Sequence, residues 1–144
     1  MNIVAIDTNV VFGYLLGRPS QFEKAKIFFE KCKLGEISLL LPFPVFLEIV
    51  WVLRSYYKKS KLEILGFFRE LLLLEHLNTD RRLLEKTIII YENHAISITD
   101  AAVLALIIES KPDKFVSFDR KLLIIFRKLR ITKGGVTFPQ LQNG

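Results

Sequence analysis

Cysteine is nearly absent from this chain. Its 144 residues include one, Cys32, and a lone thiol closes no intrachain disulfide. A fold that manages without disulfides suits a reducing compartment, so the cytoplasm is the expected location. Long apolar runs are missing as well. No uncharged run exceeds eleven residues, and Ile37 to Leu47, which reaches that length, contains Pro42 and Pro44. A membrane-spanning helix needs about 20 apolar residues, so no span is expected. Met1 to Asp7 carries no lysine or arginine and meets a carboxylate at once, which does not fit a signal peptide. Histidine is scarce too: neither His76 nor His94 has a partner pattern for acid–base work, which argues against hydrolysis by paired histidines. No repeat, linker or low-complexity segment breaks the chain, and residues 1–144 read as a single domain.

What is present is apolar and basic. Apolar residues make up 51% and charged residues 25%, which excludes intrinsic disorder. The mean hydropathy of +0.32 leaves apolar surface for a partner or a second subunit. Lysine and arginine number 21 against 15 acidic residues. The excess is concentrated: Lys111 to Lys133 holds eight basic residues and two acidic ones, and the rest of the chain is balanced. A positive patch of this kind attracts polyanions, nucleic acid first; a solvated helix face is the plainer alternative.

Strand-like and helix-like segments alternate, which predicts an α/β fold with a parallel sheet. Asn2 to Ile6 reads as a strand buried on both faces, followed by a short helix to Leu16 and a turn at Gly17-Arg18-Pro19. Ser20 to Glu23 fits a capping box for a helix reaching Lys33, ended by Gly35. Ile37 to Leu41 is a second strand, and Pro44 to Tyr57 a helix entered through proline. Ser60 to Glu63 fits another capping box, for a helix to Leu74. Leu77 belongs to a short edge strand. Thr79 and Thr99 are expected to cap the next two helices, the second spanning Asp100 to Glu109. Phe115 to Phe118 reads as a strand, Asp119 to Lys128 as a helix, and Val136 to Phe138 as a last weak strand.

Most carboxylates alternate with basic residues on faces that look solvated. Four do not. Asp7 and Asp119 end apolar strands, the edge of an open parallel sheet where ligands bind. Glu48 is the only charged residue from Phe43 to Leu53. Burying it unpaired costs several kcal/mol, so it needs a cation, a proton or an open flank. Asp100 begins the apolar helix Ala101 to Ile108. Each has a plain structural account: an Asx turn for Asp7, an N-cap for Asp119, the Ser97-x-x-Asp100 pattern for Asp100, and a surface position for Glu48. Gathered together, four carboxylates repel unless hard divalent cations such as Mg²⁺ resolve the repulsion. An acidic cluster with a basic rim suits metal-assisted attack on a phosphodiester.

Four segments carry a family resemblance: Ile6-Asp7-Thr8-Asn9-Val10, Pro44 to Ile49, Ile98 to Ala105, and Ser117-Phe118-Asp119-Arg120-Lys121-Leu122. In order and spacing they resemble the PIN-domain family and, within it, the VapC-like toxin ribonucleases. The resemblance implies a three-layer α/β/α domain with a parallel sheet of order 3-2-1-4-5. It implies an endoribonuclease dependent on Mg²⁺ or Mn²⁺, with RNA as substrate, a homodimer, and a VapB-like antitoxin as partner. Asp7, Glu48, Asp100 and Asp119 take the family's acidic positions, as metal ligands and catalytic groups. Asn9 matches a position that supports the first aspartate, Ser117 a small hydroxyl residue two before the last, and Thr8 a looser position offering a backbone contact. Arg120 and Lys121 are candidate substrate-binding residues; they stand where many members carry a further acidic residue, which weakens the case for a second metal. The competing expectation is a non-catalytic nucleic-acid-binding domain of the same fold, needing the basic stretch but not the acids. Phosphotransfer folds fit less well, since Asn9 stands where a haloacid-dehalogenase-like motif needs a second aspartate.

Overall fold

The structure is a computed structural model, and it describes residues 1–130. The strand expected at Val136 to Phe138 lies outside the described residues. The chain divides into two compact units, Met1–Arg81 and Arg82–Gly144.

The first unit holds a parallel sheet with helices against it. Its elements are β1 (Asn2–Ala5), α1 (Thr8–Leu15), α2 (Phe22–Lys33), β2 (Ile37–Leu40), α3 (Phe43–Ser55), α4 (Lys61–Leu72) and β3 (Leu77–Asn78). β2 lies in the middle, pairing in parallel with β1 from Asn2↔Ile37 to Ala5↔Leu40 and with β3 at Leu39↔Leu77 and Leu40↔Asn78. Helical spacing selects the buried faces: Ala25, Phe29 and Cys32 on α2, Phe46, Ile49, Val50 and Leu53 on α3, Ile64, Leu65, Phe68 and Leu71 on α4. The Phe46 and Phe68 rings meet at 5.7 Å between centroids. Cys32 is buried beneath α2, and burial raises its thiol pKa above the ordinary value.

The second unit is helical among its described residues: α5 (Arg81–Asn93), which begins at the boundary, α6 (Ile98–Ser110) and α7 (Arg120–Arg130). α6 packs on α7. Leu104, Ala105 and Ile108 of α6 and Leu122, Ile125 and Phe126 of α7 are buried. Arg82 and Lys86 both pair with Glu109.

Several expectations change. β1 is not buried on both faces: Ile3 is 62% exposed, because β1 pairs on one edge only among the described residues and α2 packs on β2. Phe115 to Phe118 forms no strand. Its apolar pattern suits a pleated surface, but no ladder partner meets it among the described residues. Of the expected order 3-2-1-4-5, the sheet therefore contains β3, β2 and β1, adjacent in that sequence. Ser20 does not cap α2; it takes a left-handed φ of 65°, and Gln21 stands at the cap without a side-chain hydrogen bond. Thr79 does not cap α5, since its hydroxyl is buried without a partner. Ser97, two residues earlier than expected, caps α6 in place of Thr99. The Ser60–Glu63 capping box forms with both arms.

Candidate active site

Asp7 lies just past β1 and caps α1. Its Oδ1 accepts from the Val10 amide at 3.2 Å, which satisfies one free N–H of the helix start. The side chain is exposed. Thr8, the next residue, is buried, and its Oγ1 donates to Glu48 Oε2 at 2.8 Å. Thr8 thus contributes a side-chain donor rather than the backbone contact expected of it. Glu48 projects from α3 on an exposed flank. Of the three ways to tolerate a carboxylate in that apolar run, the molecule uses the open flank, with one neutral hydrogen bond added. The Thr8–Glu48 pair spans forty residues of sequence, and a lone threonine beside an aspartate gives no signal that would reveal it. Asn9 is exposed, makes no hydrogen bond to Asp7 among the described residues, and instead lines a groove with Val10, Gly13, Gln21 and Lys24.

In the second unit, Asp119 caps α7. Its Oδ1 accepts from the Lys121 amide at 3.0 Å and the Leu122 amide at 3.3 Å, and its own amide donates to Ser117 Oγ at 3.0 Å. The Asp119 carboxylate is exposed. It follows a bend rather than a strand end, a correction to its expected position. Asp100 stands in the first turn of α6, half-buried, with its amide donating to Ser97 Oγ at 3.0 Å. The Lys121 ammonium donates to the Ala95 carbonyl, a structural tie that uses one of its three N–H donors. Arg120 is exposed and has no ion pair among the described residues.

Three of the four carboxylates, Asp7, Asp100 and Asp119, therefore sit at helix starts, and Glu48 lies within α3. They are hard oxygen donors, the type that Mg²⁺ and Mn²⁺ prefer, and Mg²⁺ is commonly held by one or two carboxylates with water completing the shell. Among the described residues no group of three or more His, Cys, Asp or Glu is gathered to hold a metal ion. The donor type fits a hard cation; a ready-made cage is not the form it takes. No described helix is long and apolar enough to cross a membrane.

The sequence matches the PIN domain family over residues 4–129. The chain belongs to the PIN domain family. PIN domains are generally nucleases, and they typically use divalent metals. In this PIN domain the match runs from β1 through α7 and takes in all four acidic positions. No curated protein matches the chain.

Proposed function

We propose that this PIN domain is a divalent-metal-dependent endoribonuclease and the toxin of a VapBC-type toxin–antitoxin pair, acting in the cytoplasm as a single domain over residues 1–144. One observation carries the catalytic reading. The Thr8 hydroxyl ties Glu48, the only charged residue in its stretch, to the position next to Asp7. That bond ties the exposed Glu48 to the neighbour of the exposed Asp7, and exposed carboxylate oxygens are the donors that Mg²⁺ prefers.

Asp7, Asp100 and Asp119 are the proposed ligands for Mg²⁺ or Mn²⁺, and Glu48 is the fourth proposed acidic group. When bound, the ion supplies Lewis-acid stabilisation of charge developing on the scissile phosphate. Glu48, oriented by Thr8, accepts the proton of the attacking water. Water oxygen bonds to phosphorus as the bond to O3′ breaks in line, and O3′ takes a proton from solvent water, which leaves a 5′-phosphate and a 3′-hydroxyl. Arg120 and Lys121 hold the RNA backbone, and Ser117, whose Oγ accepts from the Asp119 amide, supports the last aspartate.

The homodimer and the VapB-like antitoxin belong to the same proposal. Trp51 and Tyr56 are 66% and 76% exposed on and just after α3, and large exposed aromatics favour an interface. A monomer at micromolar concentration in sedimentation would rule the dimer out.

The activity test incubates purified protein with structured and unstructured RNA in Mg²⁺, Mn²⁺ or EDTA. Cleavage in either metal, abolished by EDTA and by Asp7→Asn, is expected. Equal cleavage by a folded Asp7→Asn protein would sink the assignment. RNA binding without cleavage in any metal would favour the non-catalytic binding domain.

A further inference from the structure

The basic excess has a second focus, away from Asp119. The far end of α7 and the chain before Phe115 enclose a groove of about 490 Å³, lined by Asp113, Lys114, Phe115, Phe126, Arg127 and Arg130 among others. That volume falls within the roughly 300–1,000 Å³ of ligand sites. The lining alternates aromatic and cationic groups. The Phe115 and Phe126 rings meet at 5.0 Å between centroids, and the Arg130 guanidinium lies 5.5 Å from the Phe126 ring centre. Phe126 is buried and forms the apolar floor, whereas Phe115 is half-exposed.

The cations here are uncommitted. Arg82 and Lys86, by contrast, share an ion pair with Glu109. Lys114 and Arg127 have no ion pair among the described residues. Arg130 gives one N–H to the Asp113 carbonyl at 3.3 Å, out of five available. Three cations thus face a single carboxylate beside an accessible ring. An apolar peptide would leave those charges unpaired, and a duplex would leave the ring unused.

We propose that this groove is a second contact site for single-stranded RNA, with Lys114, Arg127 and Arg130 on backbone phosphates and one base stacked on Phe115. It rests on the proposed ribonuclease activity for its choice of RNA. Base stacking on aromatic rings tolerates any sequence, and the phosphate contacts supply salt-sensitive affinity. Arg127 and Arg130 follow Asp119 by eight and eleven residues, about 12 and 16 Å along a helix at ~1.5 Å per residue. Roughly four or five stacked nucleotides at about 3.4 Å each span that distance. The groove therefore holds the strand a few nucleotides from the phosphate at Asp119.

The test measures binding in EDTA, so it does not depend on cleavage. Fluorescence anisotropy follows the full chain with a labelled, unstructured 12-nucleotide RNA and with the same sequence as a duplex. The double variant R127A/R130A is expected to bind the single strand about tenfold more weakly, with the salt slope reduced by ~1.4, near 0.7 per lost phosphate contact. Phe115→Leu keeps apolar bulk and is expected to weaken the single strand about fivefold and the duplex not at all. Arg127→Gln, at an exposed position, covers the case in which the double variant fails to fold. Lys26→Ala removes a charge on α2 and is expected to bind as the unaltered protein does. Affinity within twofold in every groove variant overturns the proposal. So does an equal loss with Lys26→Ala, or poly-glutamate competing as well as RNA. RNA held through the groove but never cut supports the groove and sinks the ribonuclease; cutting with groove variants that bind normally does the reverse.

Discussion

Asp7 and Asp119 sit in nearly the same local device with different surroundings. Each caps a helix by accepting amide N–H groups two or three residues on. Asp7 follows a strand paired along its length with β2, and its neighbour Thr8 reaches forty residues away to Glu48. Asp119 follows a segment that pairs with no strand among the described residues, and its carboxylate and amide bond to residues two or three away; the long-range tie beside it, from the Lys121 ammonium to the Ala95 carbonyl, reaches no acid. The comparison separates two kinds of information. A cap is local chemistry, available wherever an aspartate precedes a helix. Tying a second acid to that device needs tertiary structure, and among the described residues a side-chain bond to another acid appears beside Asp7 and not beside Asp119. Capping alone therefore does not mark a functional aspartate.

Asparagine caps about as well as aspartate, so Asp→Asn splits capping from charge at both crests. Asp7→Asn and Asp119→Asn are each expected to reduce RNA cleavage by at least about 100-fold, near 2.7 kcal/mol of lost transition-state stabilisation. The urea midpoint should barely move. A drop at one crest alone would break the functional parallel between them. Thr8→Val acts on the first crest only. It is expected to cost about 1 kcal/mol in urea unfolding and to lower cleavage with an altered pH profile, because Glu48 loses its fixed orientation. Ser117→Ala is the counterpart at the second crest, and about 0.5 kcal/mol is expected from the lost local bond. Smallest is a reference cap with no proposed chemistry. The Glu63 carboxyl is held below its ordinary value, chiefly by the Ser60 amide that donates to it. Its folded pKa lies below its unfolded one, so its stabilisation is present at neutral pH and is lost as pH falls through the folded value. The melting-temperature gap between the unaltered protein and Glu63→Gln should close as the solution is acidified below the ordinary carboxylate range; a gap that persists there would refute the capping-box origin.

What the sequence made legible follows the range of the interactions. The Ser60 capping box and the proline entry to α3 are settled by neighbours within one turn, and they form as expected. Ser20 shows where that logic ends. Its left-handed φ moves the hydroxyl away from the cap, and the residue pattern does not encode that turn. Phe115 to Phe118 shows the same limit for strands: apolar alternation marks a suitable face, but a strand exists only where another offers its edge. The four acids were legible as candidates, from their local contexts and from the family resemblance. The hydroxyl that positions Glu48 was not, since nothing near Thr8 in sequence announces a partner on α3.

Cys32 is the chain's one thiol, 1% exposed, with burial holding its pKa up. Both factors suppress the reactive thiolate. The protein thereby carries a native opening clock: a thiol reagent labels Cys32 only when α2 lifts from the sheet. Labelling rates recorded against urea concentration report the free energy of that local excursion. Where that free energy meets the global unfolding value, α2 is part of the last structure to come apart; where it falls short, α2 is the part of the first unit that loosens early.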